Sequence, residues 1–290
     1  MRYRVSHKTT YRYSEPASLS QNEVFLHPRE IETQRVIESR LAIDPKPQYQ
    51  HRRTDYFGNI AQVFMVQHPH NELTMTATSI VETALPVTPL STPPWESVVQ
   101  RLAAPVRQLP DLEAYQFVFA SPLISVAPGV MEYARPSFPP GTPVLDGAMN
   151  LMGRIFKEFS YDTSATTVDT TVEQLLAERK GVCQDFAHFA ISCLRSMGLA
   201  ARYVSGYLET MPPPGKPKMI GADESHAWLS LYIPDTGWVD LDPTNNIIPG
   251  ENHIVLAWGR DYGDVTPVKG VVMGGGIHTL SLMVDVAVHS

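Results

Sequence analysis

The sequence predicts an α+β protein: an N-terminal β-sandwich-like domain, then a core of helices packed on an antiparallel sheet. Three observations carry this. Residues 1–85 alternate apolar and polar residues or are rich in Thr, Val and Ile. From Val144, apolar residues recur three and four apart, the period of a helix. Beyond residue 200 strand patterns return, two of them joined by Pro234-Asp235-Thr236-Gly237, a strong turn signal. A block of helices followed by strands is an α+β arrangement, not an alternating α/β one.

The first domain, residues 1–85, is read from RYRVSHKTTYRY, AQVFMVQH and ELTMTATSIVETAL, with turn signals at Asn22, Pro28 and Phe57-Gly58-Asn59. Residues 86–142 form a linker with short helices. It opens inside LPVTPLSTPPW, and ESVVQRLAAPV is its helical stretch. SPLISVAPG and ARPSFPPGTP break the helices, because proline lacks an N–H and fixes φ.

The core and its C-terminal strands occupy 143–290. Its first helix carries Ala148, Leu151, Met152, Ile155, Phe156 and Phe159 on one stripe. Thr170 or Thr171 caps a second, VEQLLAERK, with Lys180-Gly181 at its end. The third starts at Cys183. Ala187, Ala190, Ile191, Leu194 and Met197 form its apolar face, and Gly198 suits the residue just past its end. ARYVSGYL, HAWLSLYI and GWVDLDP read as strands, and HTLSLMVDVAV adds a last one.

Composition bounds the function. Of 290 residues, 43% are hydrophobic and 18% charged, enough apolar surface for a packed core. The net charge of −7 argues against a nucleic-acid partner, which would need a basic footprint. The start MRYRVSHKTTYRYSEP has no apolar signal core, and no later run is long enough to span a bilayer. No membrane partner and a cytoplasmic location are expected.

The chain has two cysteines. Cys183 and Cys193 fall in one predicted helix, roughly 15 Å apart and on different faces. A disulfide needs under about 7 Å, so they do not pair. Cys193, inside the helix, reads as core. Cys183 heads it, where unpaired backbone N–H groups and the dipole favour a thiolate and can bind an oxyanion. Such a cysteine needs a base, and the base an orienter. His226 opens one strand; Asp240 and Asp242 lie in the next. Opposed residues of antiparallel strands stand about 5 Å apart and diagonal ones about 7–8 Å. Pairing Ile233 with Trp238 across a four-residue loop would turn Asp242 away from His226. A loop of odd length or a bulge is therefore expected. Asp242 precedes Pro243, which ends the ladder, and is preferred as orienter. Asp240 is expected to face solvent or substrate.

GVCQDFAHF, RYVSGYL, DESHAW and GWVDLDPTNN, in that order, resemble the transglutaminase-like superfamily of papain-like cysteine enzymes. SHKTTYRYSEPASLSQNEVFLHPR and DYFGN are similar to the β domain that precedes this core in bacterial members. The resemblance covers most of the chain and is weakest between about 90 and 140. It implies that Cys183 is the nucleophile, His226 the base and acid, and Asp242 the orienter. Two oxyanion donors are implied: the Cys183 backbone N–H and an upstream aromatic side chain, for which Tyr161 is the candidate. Animal members bind calcium, but no calcium-loop pattern occurs here. No HExxH or paired CxxC spacing occurs either, so no metal and no cofactor are expected.

Gln184, Trp228 and Asp223 are the candidates for lining a substrate cleft. The loop MPPPGKPKMI before Asp223 reads as a lid or a long surface loop. His188 reads as structural. His7, His27, His68, His70 and His253 receive no role. The expected partner is a peptide or protein substrate, and the expected reaction is amide hydrolysis through a thioester. Transamidation by the same residues is the alternative, and a non-catalytic binding module is the alternative of another class. An arylamine-type acyltransferase fits less well, since such enzymes lack the N-terminal β domain. The sequence leaves a homo-oligomer open. Relatives encoded near ATP-grasp ligase-like proteins imply a functional link to peptide-bond metabolism.

Overall fold

The computed structural model describes residues 1–105, 108–165, 167, 170–210, 223 and 225–289. The loop Met211–Ile220 lies outside them. β1 (Arg2–Val24) is 23 residues long and organises a seven-stranded antiparallel sheet. With it run β2 (Gln34–Asp44), β3 (Tyr49–Thr54), β4 (Ile60–Val66) and β5 (His70–Thr83) in the order β2-β5-β1-β4-β3. Asn22, expected in a turn, lies inside β1. Its side chain is buried against Gly270 of a C-terminal strand, where a Cβ would come within 2.4 Å of Asn22 Oδ1. The missing glycine side chain lets the strand continue. Gly58, by contrast, does occupy a turn, with φ +77°.

Then come α1 (Trp95–Ala103), α2 (Leu109–Tyr115), α3 (Pro128–Ala134) and α4 (Val144–Glu158). On α4, Val144, Ala148, Leu151, Met152 and Ile155 are buried as the period requires, but Phe156 is 47% exposed. Phe159 is buried just past the helix end, within 5.0 Å of the Phe189 ring. β6 (Ser160–Tyr161) follows, then α5 (Val172–Glu178), capped by Thr171 and Gln174 in a reciprocal capping box. Arg179, at φ 54°, closes α5, not Lys180-Gly181. Gly181 instead lies in β7 (Lys180–Gly181), parallel to β6.

α6 (Cys183–Ser196) is the centre of the core. Every residue from Asp185 to Ser196 is buried, the polar ones included. Phe186, Phe189, Ile191 and Leu194 each contribute about 1.5–3 kcal/mol by burial. Arg195 is satisfied by the Ala201 and Arg260 carbonyls. That pins the C-terminal end of the helix, and Gly198 at φ +80° turns the chain away. α6 packs on a four-stranded antiparallel sheet ordered β10-β9-β8-β11: β8 (Ala201–Leu208), β9 (Ser225–Ile233), β10 (Gly237–Leu241) and β11 (His253–Gly259).

After α7 (Tyr262–Val265), β12 (Val268–Gly274) and β13 (His278–Val288) return to the first sheet and pair with β1. The C-terminal strands, grouped with the core in the sequence, thus hydrogen-bond to the N-terminal sheet. Tyr3, Val5, Val81, Val284 and Val286 join the same apolar core as α6 and β9. No described helix is long and apolar enough to cross a membrane.

Candidate active site

The start of α6 is built by three local contacts. Asp185, in its first turn, folds back to accept a hydrogen bond from the Val182 N–H at 2.8 Å. That fold requires Gly181, because a Cβ there would lie 2.8 Å from Asp185 Oδ2. Asp162 N donates to the Gly181 carbonyl and Tyr161 pairs with Gly181, so β6 and β7 anchor the approach. Cys183 emerges partly exposed at the first helical position. Cys193 is fully buried, with its thiol pushed up by burial.

On the sheet, Gly237 pairs with Ile233, so the loop holds Pro234, Asp235 and Thr236. This is the odd length that the geometry demands. Asp235 adopts φ 64° to make the turn. Asp242, one residue beyond β10, then stands diagonal to His226. His226 Nε2 donates to Asp242 Oδ2 at 2.8 Å. With Nε2 engaged, Nδ1 is the nitrogen left for Cys183, which lines the same grooves as the ring and helps to raise its pKa.

Asp242 is wholly buried and heavily coordinated. Its Oδ1 accepts from the Thr244 and Asn245 N–H groups at 2.9 and 3.2 Å. Its Oδ2 also accepts from Asn245 Nδ2 at 2.7 Å and His253 Nε2 at 3.2 Å. Burial works to raise its pKa, but the two imidazoles and Asn245 hold it well below the usual carboxylate range. Burial likewise works to lower the His226 pKa. Asp242 and Cys183 outweigh it and push the imidazole up to about 10.

His226, Asp242 and His253 bring three metal-ligand atoms within 4.8 Å of one another. Both Nε2 atoms, however, face a carboxylate oxygen that only accepts. Each therefore directs a proton, not a lone pair, into the cluster. The arrangement is a hydrogen-bonded one that fixes a tautomer.

Of the cleft candidates, Gln184 lines a groove beside Cys183 and His226. Tyr161, the oxyanion candidate, is 50% exposed and lines a second groove on their other side. Trp228 does not line either. Its ring is buried behind the site, 5.2 Å from His253 and lying across Gly206, where a Cβ would come within 2.4 Å of it. Its Nε1 donates to Asp240 at 2.9 Å. Asp240 also accepts from Ser230 Oγ, so it braces the sheet and does not face the cleft. Asp223 is buried as a tie: it accepts from Thr210 N and Val286 N at 2.9 and 2.7 Å, joining the chain just past β8 to β13. His188 is buried, accepts from Tyr262 N at 3.1 Å and is lowered to about 4 by burial.

Sequence reasoning missed His253 and Asn245. Asn245 sits in DPTNN, close enough to Asp242 to have been suspected. His253 reaches Asp242 only through the pairing of β11 with β8, which its local sequence does not signal.

A cysteine at the first turn of a buried helix, facing a histidine on an antiparallel sheet, defines a papain-like arrangement. The chain belongs to the transglutaminase-like superfamily. Residues 3–82 match the bacterial transglutaminase-like N-terminal region and residues 132–243 the transglutaminase-like superfamily core. An uncharacterized protein of Mycobacterium tuberculosis is 44% identical over 280 residues, covering 93% of this chain and 87% of its own. One from Mycobacterium leprae is 34% identical, covering 98% of both chains. A protein-glutamine gamma-glutamyltransferase of Pseudomonas aeruginosa is 33% identical over 86 residues, 29% of this chain and 13% of that one. A crystal structure from Cytophaga hutchinsonii, provisionally described as a cysteine protease, has a TM-score of 0.76. It covers 99% of this chain and 90% of that one at 21% identity, and so shows the fold alone.

Proposed function

We propose that the protein is a cysteine-dependent amide-bond hydrolase acting on peptides or proteins. The observation that carries this is the grouping of Cys183 with His226 at the head of α6, with Nε2 of His226 committed to Asp242. The Cys183 thiolate attacks the amide carbonyl carbon. The C=O electrons move to oxygen, and the oxyanion is held by the Cys183 backbone N–H and the Tyr161 hydroxyl. The His226 imidazolium gives its proton to the leaving nitrogen as the C–N bond breaks. A thioester remains on Sγ. His226, now neutral, takes a proton from water, whose oxygen attacks the thioester and releases the acid and the thiolate.

Transamidation is the second reading. It is favoured by the groove that Leu208, Thr210, Thr244 and Asn245 form on the other side of Cys183 and His226. That groove, about 360 Å³, is roomy enough for an amine nucleophile. Mass spectrometry of a peptide library, with and without a primary amine, separates the readings. Shortened or deamidated products without amine support hydrolysis. Amine adducts that displace those products support transamidation. No change in either arm, with wild type and Cys183→Ala equal, overturns both and leaves a binding module.

A further inference from the structure

We infer that the strand-rich N-terminal sheet supplies a specificity subsite beside Cys183 that takes an uncharged, apolar or aromatic side chain of the acyl donor. This rests on the hydrolase reading above and deepens it. The groove on the Gln184 side has a volume of about 280 Å³. That is near the lower end of ligand pockets and suits one large side chain. One wall comes from α6, β9 and Tyr203. The facing wall is Tyr11 of β1 with Leu280 and Leu282 of β13, and Val268.

The register explains that wall. Tyr11 pairs with Leu280, Thr9 with Leu282, His7 with Val284 and Val5 with Val286, all on one face of the sheet. Val286 and Val284 are buried in the core, whereas Leu282 and Leu280 are 51% and 58% exposed. The apolar row thus runs out of the core into the groove. A half-exposed leucine pair ending beside a nucleophile is apolar surface that a substrate side chain would cover.

Electrostatics sets the class. Among the described residues, no Asp, Glu, Lys or Arg lines this groove. His7, at its floor, is bonded through Nδ1 to Tyr207 Oη at 2.8 Å and through Nε2 to Thr9 Oγ1 at 3.1 Å, both hydroxyls. Burial lowers it to about 4, so it brings no charge at neutral pH. Cys183 and His226 also line it, but His226 is already paired with Asp242, so a charged side chain entering between Tyr11, Leu280 and Leu282 would be desolvated without a partner of its own, which is costly.

The test uses the full chain and peptidyl acyloxymethyl ketones that differ in one side chain: Leu, Phe, Asp or Lys. The rate of Cys183 alkylation is followed by mass spectrometry. Leu and Phe probes are expected to react roughly tenfold to a hundredfold faster than Asp and Lys probes. Leu282→Asp and Leu280→Asp, on half-exposed edge positions, are expected to erase that ratio and raise the Lys probe, with Tm unchanged. Equal rates for all four probes, or an unchanged ratio in both variants, overturns the subsite while leaving the hydrolase reading standing. If no peptidyl probe labels Cys183 although iodoacetamide does, both fall.

Discussion

Replacing Asp242 by Asn tests the site most directly. The Asn amide can keep its oxygen toward the Thr244 and Asn245 N–H groups, as Oδ1 does now. Its NH₂ then faces three donors: His226 Nε2, His253 Nε2 and Asn245 Nδ2. Two donors cannot face each other, so His226 is driven to the tautomer with a bare Nε2 and a protonated Nδ1. That nitrogen can no longer accept the Cys183 proton. The charge-assisted bond to the imidazolium is also lost. Breaking a buried pair costs about 3–5 kcal/mol, so acylation is expected to slow by roughly 10² to 10⁴. Removal of the carboxylate also lowers the His226 pKa, moving the alkaline limb of the rate profile to lower pH. The assay is the p-nitrophenol burst from p-nitrophenyl acetate across pH, beside Asp240→Asn. Asp240 touches Trp228 and Ser230 but not His226, so that variant is expected to lose less than about tenfold. Acylation by Asp242→Asn within tenfold of wild type, or the reverse ranking of the two variants, would refute the reasoning.

Three further outcomes are expected. Cys183→Ala should abolish the burst with Tm nearly unchanged, because the thiol is partly exposed. Cys193→Ala should keep the burst and lose about 1–2 kcal/mol in denaturant unfolding, because its site is sealed. Gly206→Ala should destabilise by about 1–3 kcal/mol and slow the burst, since a Cβ there would stand 2.2 Å from the Ile254 carbonyl oxygen and press on the ring behind His226. Stability should peak between about pH 6.5 and 7 in thermal scans. His7 and His188, lowered to about 4 in the fold, contribute stability that is full above their ordinary value and is lost as pH falls toward 4. His226, raised to about 10, contributes stability that is full below its ordinary value and is lost as pH climbs to 10. A Tm that is flat from pH 4 to 10 would contradict both assignments.

The helices of the core were legible because their period is local: α4, α5 and α6 start at the residues that the pattern and Thr171 mark. Geometry asked for an odd loop before Gly237 or a bulge, since either brings Asp242 and His226 to one face, and the chain uses the odd loop. Strands β2 and β3 were not legible. They are charged and largely exposed, and carry little apolar alternation. The pattern of α6 predicts a one-sided apolar face, yet the helix is buried all round, because its polar residues find carbonyl and N–H partners on other elements. Trp228 and Asp223 were misplaced for a similar reason. Trp228 shares the sheet face of His226 but turns its ring inward against His253 and Gly206, and both residues are consumed by buried contacts.

The pairing of Tyr3 with Val288 sets an order of events during synthesis. β1 waits, on that side, for a partner that lies far downstream in the chain. Until β13 is in place, Leu280 and Leu282 are missing from the groove and Asp223 has no Val286 N–H to hold. A nascent chain can therefore bury Cys193 and shape α6 well before it presents a finished groove. Closure of so distant a pair is entropically costly and comes late. The groove beside Cys183 is therefore completed only once the chain has been made through β13.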